Sequence, residues 1–238
     1  MNRKHVGLAA VLFFPLVCGS VVAAAAPDKA FLDKYFNQPG WSGVDPRRAH
    51  ELSAAIDTPV GKAVADTFDM ERWERIRGAS LRFFDPPRKY SHNYPMQYSP
   101  DYRGGIDCSG FTMMVLQAAG FARPGFPSYQ GGQYRIAMTG DTKYMLPGYR
   151  LRLMGRGEPP QKGDLVFFKD TYRHRRAIDV VDGKRITHVG IISETGGPRP
   201  KMMHASSKKG EMVDVEMLDY HLQHLVGFAR VEKAIRRD

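Results

Sequence analysis

Cysteine is scarce in this sequence, whose 238 residues include only Cys18 and Cys108. Two cysteines cannot form a framework of several disulfides, and neither belongs to a Cys-x-x-Cys pair that binds zinc or exchanges disulfides. The sequence also lacks a Gly-rich phosphate-binding loop, a dinucleotide-binding fingerprint and a Gly-x-Ser-x-Gly nucleophile motif. These absences argue against a disulfide-stapled, nucleotide-binding or serine-hydrolase protein.

Acidic residues are outnumbered by basic ones, 25 against 35, which gives a formal net charge of +10 at pH 7. Such an excess favours an anionic partner, for example nucleic acid, an anionic membrane or a cell-wall polymer. The hydrophobic fraction of 42% and charged fraction of 25% are typical of a globular protein. The length therefore fits one sizeable core with a small appendage.

A long apolar run occurs only at the N-terminus, from Val6 to Val22, where it follows a short basic stretch and precedes four alanines. This pattern predicts a secretory signal peptide over residues 1–25, with cleavage near Ala25. The alternatives are a retained membrane anchor and a lipoprotein acylated on Cys18. We expect an exported protein of the bacterial periplasm or cell envelope, bound to a membrane only if it is lipid-anchored or keeps the signal. Export disfavours nucleic acid as a partner.

Loss of that segment would leave Cys108 as the single cysteine. Because exported proteins enter compartments that oxidise thiols, a retained free thiol indicates either deep burial or a chemical role. The polar neighbours Asp107 and Ser109, with glycines on both sides, fit an exposed turn better than a core. The alternative is that Cys108 is a small buried hydrophobe.

Residues 26–89 are interrupted by several proline-containing breaks, which favour short helices. One helix is predicted over Pro46–Ile56, and another begins at Thr58-Pro59. The second carries apolar side chains at helical spacing, namely Val60, Val64, Phe68, Trp73 and Ile76. We therefore predict a helical N-terminal region over residues 26–89 that packs on a following domain over residues 90–238.

The following domain changes character along its length. Tyr90–Arg103 has no periodicity and is predicted to be a loop, while the segment after Cys108 reads as a buried helix that ends at Gly120. Five later runs have strand length and are bounded by turn residues: Asp164–Phe168, His188–Ser193, Lys201–Ala205, Met212–Met217 and Leu225–Val231. One helix followed by antiparallel strands predicts an α+β fold with five or six strands.

Cys108 is thus expected at a helix N-terminus, where backbone N–H groups and the helix dipole lower the pKa of a thiol. A thiolate nucleophile needs a general base and a group that orients that base. If the strands of His188 and His204 pair, both imidazoles can share one face. The alternative for each is a half-buried, hydrogen-bonded histidine. His221 and His224 could mimic a metal pair, but no third ligand at metal-like spacing supports one.

Five motifs in order carry a resemblance to a known family. They are Asp107-Cys108-Ser109-Gly110-Phe111, Lys162-Gly163-Asp164-Leu165-Val166-Phe167-Phe168, His188-Val189-Gly190-Ile191-Ile192, His204-Ala205-Ser206 and Val226-Gly227-Phe228-Ala229-Arg230-Val231. Residues 90–231 thereby resemble the NlpC-type cell-wall cysteine peptidases. The resemblance implies a papain-like fold, with the nucleophile helix packed on an antiparallel sheet that carries the histidines.

The resemblance also implies roles for particular residues. Cys108 would be the nucleophile, His188 the general base and then acid, and His204 the group that orients His188. The backbone N–H of Cys108 would contribute to an oxyanion hole. The implied reaction is hydrolysis of the D-glutamyl to diaminoacid amide in peptidoglycan stem peptides, by a monomer without cofactor or metal.

Substrate contacts are less defined by the resemblance. Asp107 and Ser109 are implied to hold the amino end of the peptide, although each could serve only to cap the helix. Tyr94 and Tyr98 are the candidates for the pocket tyrosine of the family. The interval between Cys108 and His188 is longer than usual, so we expect extra loops in Thr139–Arg156 and Asp170–Arg185 that shape the substrate groove.

Two other functions fit the same residues. The machinery could serve an amidase or acyltransferase that acts on another amide, including an antibacterial toxin. Alternatively, the fold could be a cell-wall-binding module without turnover, although a pure binder has no need of a reactive thiol.

Overall fold

The computed structural model of this protein describes residues 59–155, 157–172 and 179–234. The predicted signal peptide, Cys18 and the predicted helix Pro46–Ile56 lie outside these residues. The described elements are α1 (Pro59–Leu81), α2 (Cys108–Ala118), α3 (Gln130–Thr139), β1 (Tyr149–Leu153), β2 (Leu165–Lys169), β3 (Val180–Val181), β4 (Lys184–Glu194), β5 (Lys201–Ser206), β6 (Glu211–Glu216), α4 (Asp219–Gln223) and β7 (Leu225–Lys233). Within the described ranges, none of the helices has the length and apolarity needed to span a bilayer.

The strands form one antiparallel sheet with the order β1-β7-β2-β4-β5-β6, and β3 pairs with β4 outside this path. The α+β fold class predicted from the sequence is confirmed. The five predicted strands are β2, β4, β5, β6 and β7, and each lies where the apolar runs indicated it.

Four elements arise where the sequence predicted none, and α4, between β6 and β7, is one of them. Helix α3 was not predicted, because its sequence contains two glycines and no apolar stripe. Strand β1 falls inside the expected loop Thr139–Arg156, and β3 falls inside Asp170–Arg185. In β1, arginines alternate with apolar residues, and Arg150 and Arg152 both bind Glu232 of the neighbouring β7. The basic stretch is therefore an edge strand rather than a loop.

Each face of the sheet buries its own apolar cluster. Alternation along β4 sends Val189 and Ile191 toward α1, α2 and α3, while Ile192 joins the cluster on the opposite face with Phe168 and Leu222 of α4. Residues 188 and 190 share the side of Ile192. The alternation along β4 thus determines which of its side chains contact α1, α2 and α3 and which contact α4.

Helix α1 belongs to the same core as the nucleophile helix. Its Phe68 and Ile76 are buried with residues of α2 and of the sheet. Arg72, which is fully buried, donates to the carbonyl oxygen of Val231 in β7 at 3.3 Å. Part of the predicted N-terminal region therefore packs directly on the domain that follows it.

Candidate active site

Cys108 is the first residue of α2, and its position follows from the cap of that helix. Asp107 is the N-cap, with extended backbone, and its Oδ1 accepts from the N–H of Gly110 at 2.8 Å. Gly110 is needed for packing, since a Cβ there would lie 2.5 Å from the ring of Tyr94. The cap places the thiol at the end of α2 that points its free N–H groups outward. Cys108 is only 2% exposed.

The thiol is surrounded by hydrogen-bond donors. Nε2 of Gln130 lies 3.6 Å from Sγ, and the backbone N–H groups of Val189 and Ser109 lie close enough to favour the thiolate form. Burial, with the nearby charge of Asp107, nevertheless raises the pKa of the Cys108 thiol. The lowering expected from the helix N-terminus alone is therefore outweighed by desolvation, and the resting thiol is protonated.

The two predicted histidines form a pair. Nε2 of His188 in β4 lies 2.8 Å from Nδ1 of His204 in β5. Gly190 allows β4 to lie close to β5, because a Cβ there would lie only 3.1 Å from the backbone oxygen of Met203, the residue before His204. The rings share one face of the sheet with Phe168, which stacks near His188 at 5.7 Å, and with His221, at 6.1 Å from His204.

Both imidazoles are held in the neutral form. Burial and the neighbouring His204 lower the pKa of His188 well below its usual value. Burial and the nearby His221 lower the pKa of His204 to about 4. At neutral pH the site therefore contains a protonated thiol and two uncharged rings, rather than a thiolate–imidazolium pair.

Cys108 Sγ lies beside β4, close to the end of its ladder with β5. The ladder between these strands pairs Ile191 with Met203, and its register ends there on the side toward His188. Val189, two residues beyond, lies outside that ladder, and its N–H is close to Sγ. Sγ lies on the helix face of the sheet, and the imidazoles lie on the α4 face with Phe168 and His221. Among the hydrogen bonds of the described residues, none joins Sγ to an imidazole, and such contacts often tighten only in the substrate complex.

A pocket of about 340 Å³ opens beside the thiol. Its lining consists mainly of polar and aromatic side chains: His92, Tyr94, Met96, Asp107, Ser109, Ser128, Tyr129, Gln130, Tyr172 and Asp179. The carboxylate of Asp107 organises one wall of the pocket. Its Oδ1 lies 2.8 Å from the hydroxyl of Tyr94 and 3.1 Å from that of Ser109, while Oδ2 lies 3.0 Å from Nδ1 of His92.

Three of the four sequence candidates for substrate binding lie in this pocket, and the fourth does not. Asp107, Ser109 and Tyr94 share its wall. Asp107 also caps α2, so the capping role expected from the sequence is observed. Tyr98 lies elsewhere, and its hydroxyl accepts a hydrogen bond from Arg82. Tyr94 is therefore the tyrosine beside the candidate nucleophile.

Several residues of the site carried no signal in the sequence. Gln130 begins α3, a helix without an apolar stripe. Tyr172 and Asp179 lie in the expected loop Asp170–Arg185, whose fold the sequence left open. His92 could have been found only from its Asp107 contact, which the spacing of 15 residues does not encode.

The fold and the geometry define a class of protein: an α+β domain of papain-like type, with a cysteine at a buried helix N-terminus and a histidine pair on the adjoining sheet. The chain belongs to the NlpC/P60 family, whose model matches residues 90–230. Membership in this family supports a cell-wall hydrolase that acts on peptidoglycan.

Solved structures offer only distant similarities. The peptidoglycan hydrolase RipB from Mycobacterium tuberculosis is 16% identical, with 80% of this chain and 91% of that chain covered and a TM-score of 0.38. The protein LPG0564 from Legionella pneumophila is also 16% identical, with 75% and 96% covered and a TM-score of 0.34. No curated protein matches this chain.

Proposed function

We propose that this protein is an exported cysteine endopeptidase that hydrolyses the amide between D-glutamate and the diaminoacid of peptidoglycan stem peptides. The observation that carries the proposal is the position of Sγ close to the backbone N–H of Val189, the residue next to His188, whose Nε2 is 2.8 Å from His204. It supports the proposal because the strand that carries the histidine pair runs beside the candidate nucleophile.

Acylation starts from the neutral pair. Nδ1 of His188 is the ring nitrogen that His204 does not engage, so it is the atom that takes the proton of the thiol. As Sγ forms a bond to the carbonyl carbon, the π electrons of that carbonyl move onto its oxygen, where the N–H of Cys108 stabilises the charge. Collapse of the intermediate breaks the C–N bond, and the leaving amine receives the proton from His188.

Deacylation repeats these roles with water. His188 removes a proton from water as its oxygen attacks the thioester carbonyl, and the C–S bond breaks to release the acid product. The proton then returns to the sulfur. His204 keeps the ring of His188 in one orientation and one tautomer throughout, which makes His204 a positioning residue.

The wall around Asp107 suits the amino end of a stem peptide. Oδ1 is already engaged by Tyr94, Ser109 and the N–H of Gly110. Oδ2 is met by the ring of His92, whose side chain is 59% exposed and can move aside. An ammonium group that reaches Oδ2 would thus gain a charge-assisted hydrogen bond.

Export and a cell-envelope location are part of the proposal. They rest on the N-terminal pattern and on the excess of basic residues, which favours an anionic wall polymer.

The test is digestion of purified peptidoglycan and defined muropeptides, with products identified by mass spectrometry. The intact protein is expected to release fragments with a new D-glutamyl carboxyl end, and Cys108→Ala and His188→Ala are expected to release none. His224→Ala is the matched control, because its ring stacks near Tyr220 at 4.7 Å instead. Fragments that end at another residue would refute the assigned bond. Binding to the wall without any product would favour the wall-binding module.

A further inference from the structure

Gln130 is the side chain that approaches the thiol from α3, and the hydrolytic steps above give it no role. The residue is 7% exposed, and its Nε2 lies 3.6 Å from Sγ of Cys108. The same nitrogen lies 3.0 Å from the carbonyl oxygen of Thr187 and 2.7 Å from the hydroxyl of Tyr172. A buried amide is thus aimed at the reacting atom from the first turn of a helix.

The orientation of this amide is fixed by its surroundings. The carbonyl oxygen of Thr187 can only accept, so the atom of Gln130 that faces it must be the nitrogen. One N–H of Gln130 is therefore committed to Thr187. The other is directed into the space that holds Sγ and the hydroxyl of Tyr172.

We propose that Gln130 is the side-chain donor of the oxyanion site, and that it acts together with the backbone N–H of Cys108. The assignment rests on the proposed function, since it names the group that receives the charge formed in acylation. When Sγ bonds to the carbonyl carbon, the carbonyl oxygen stands within about 3 Å of the sulfur, a reach typical of oxyanion donors. The second N–H of Gln130, which faces Sγ and the hydroxyl of Tyr172 in the resting site, then turns to that oxygen.

This role answers a problem posed by the resting site. Burial raises the pKa of the thiol and lowers the pKa of His188, so proton transfer between them is unfavourable before substrate arrives. A donor that first contacts Sγ and then the oxygen stabilises the negative charge at both positions. Because Thr187 already holds the amide, little reorganisation accompanies the reaction.

Gln130→Met tests the assignment, because methionine fills a similar volume without an N–H. The loss of one oxyanion donor is expected to lower kcat about 100-fold, with KM changed less than about threefold. Alkylation of Cys108 by iodoacetamide at pH 8 is expected to slow as well, since the thiolate loses a donor.

Gln133→Met is the matched control on the same helix. Gln133 is fully buried, and its Nε2 donates to the carbonyl oxygens of Ser109 and Pro127 rather than to Sγ. Its loss is expected to lower the Tm with a smaller effect on alkylation. The proposal is overturned if Gln130→Met keeps kcat within threefold of the parent, or if the two variants slow alkylation equally.

The experiment separates this assignment from the proposed function. If the parent protein releases no peptidoglycan product, the proposed function fails, and alkylation still decides the role of Gln130. Slower alkylation in Gln130→Met alone would then support the contact of Gln130 with the thiolate on which the assignment depends, whereas unchanged alkylation would overturn it.

Discussion

Two buried polar clusters tie the helices to the sheet, and they differ in charge. The Asp164 cluster consists of Arg72, Asp164 and Arg230. Arg230 donates two hydrogen bonds to the carboxylate of Asp164, at 2.9 and 2.8 Å, and a guanidinium nitrogen of Arg72 lies 3.6 Å from the same carboxylate. The Cys108 cluster consists of Cys108, Gln130, His188 and His204. Its titratable groups are uncharged at neutral pH, since burial raises the pKa of the thiol and lowers the pKa of both rings.

The difference separates a structural cluster from a reactive one. In the Asp164 cluster every charge lies near an opposite charge. Removal of one partner therefore leaves a buried charge uncompensated, and its desolvation free energy then destabilises the fold. In the Cys108 cluster the thiol and both rings are uncharged at rest, and the nearest charge is the carboxylate of Asp107. Under the proposed function, charge arises among these groups only during the reaction.

The largest expected effect is on activity in the Cys108 cluster. Cys108→Ala removes the nucleophile and should reduce kcat by about 10⁴-fold or more. Because no charge pair is broken, the free energy of unfolding should change by less than about 1 kcal/mol. Denaturant unfolding measured beside the peptidoglycan assay checks both parts. A large loss of stability would show that the thiol is also structural.

The next effect is on stability in the Asp164 cluster. Asp164→Asn removes the buried carboxylate that Arg72 and Arg230 share and should lower the free energy of unfolding by about 3–5 kcal/mol. Asp69→Asn is the control, because Asp69 also binds Arg72 but is 27% exposed, and its loss should cost less than about 1 kcal/mol. Equal losses of unfolding free energy for the two variants in urea would contradict the view that the buried carboxylate of Asp164 holds this cluster together.

The third effect is the pH dependence of stability. Since the folded pKa of His204 is lowered to about 4, the unfolded chain binds the proton more readily. The contribution of His204 is fully present above about pH 6.5 and is lost as the pH falls toward 4, a change of about 3 kcal/mol. His204→Gln should flatten the profile between these pH values. Parallel profiles for parent and variant would refute the buried neutral ring.

The fold could be predicted from the sequence where local pattern and tertiary environment agree. The apolar runs of β2, β4, β5 and β7 are buried. In the Asp-Cys-Ser-Gly motif, the aspartate caps α2 and the other three residues begin its first turn. Burial of β1 depends instead on its pairing with β7, and no local sequence pattern predicts that pairing. The same holds for α3, whose glycines disfavour a helix in isolation.

The candidate site was predictable only in part, for a related reason. Cys108, His188 and His204 stand in motifs, but their protonation depends on burial, which opposes the helix dipole and is set by the whole fold. Gln130 reaches the thiol because α3 packs across α2 and β4. Contacts of this kind join residues far apart in the chain, so spacing alone does not reveal them.

The smallest expected effect decides between the two candidate tyrosines. The hydroxyl of Tyr94 lies 2.8 Å from Asp107 Oδ1 and 3.0 Å from the carbonyl oxygen of Ser128, so Tyr94→Phe leaves the pocket carboxylate with one donor fewer. The loss should weaken substrate binding by about 0.5–1.5 kcal/mol, which raises KM several-fold while kcat changes little. Tyr98→Phe is the matched control, since its hydroxyl meets Arg82 outside the pocket. A rise in KM for Tyr98→Phe alone would mean that the substrate binds on the Arg82 side of the molecule. The Asp107 wall would then not bind the amino end of the stem peptide.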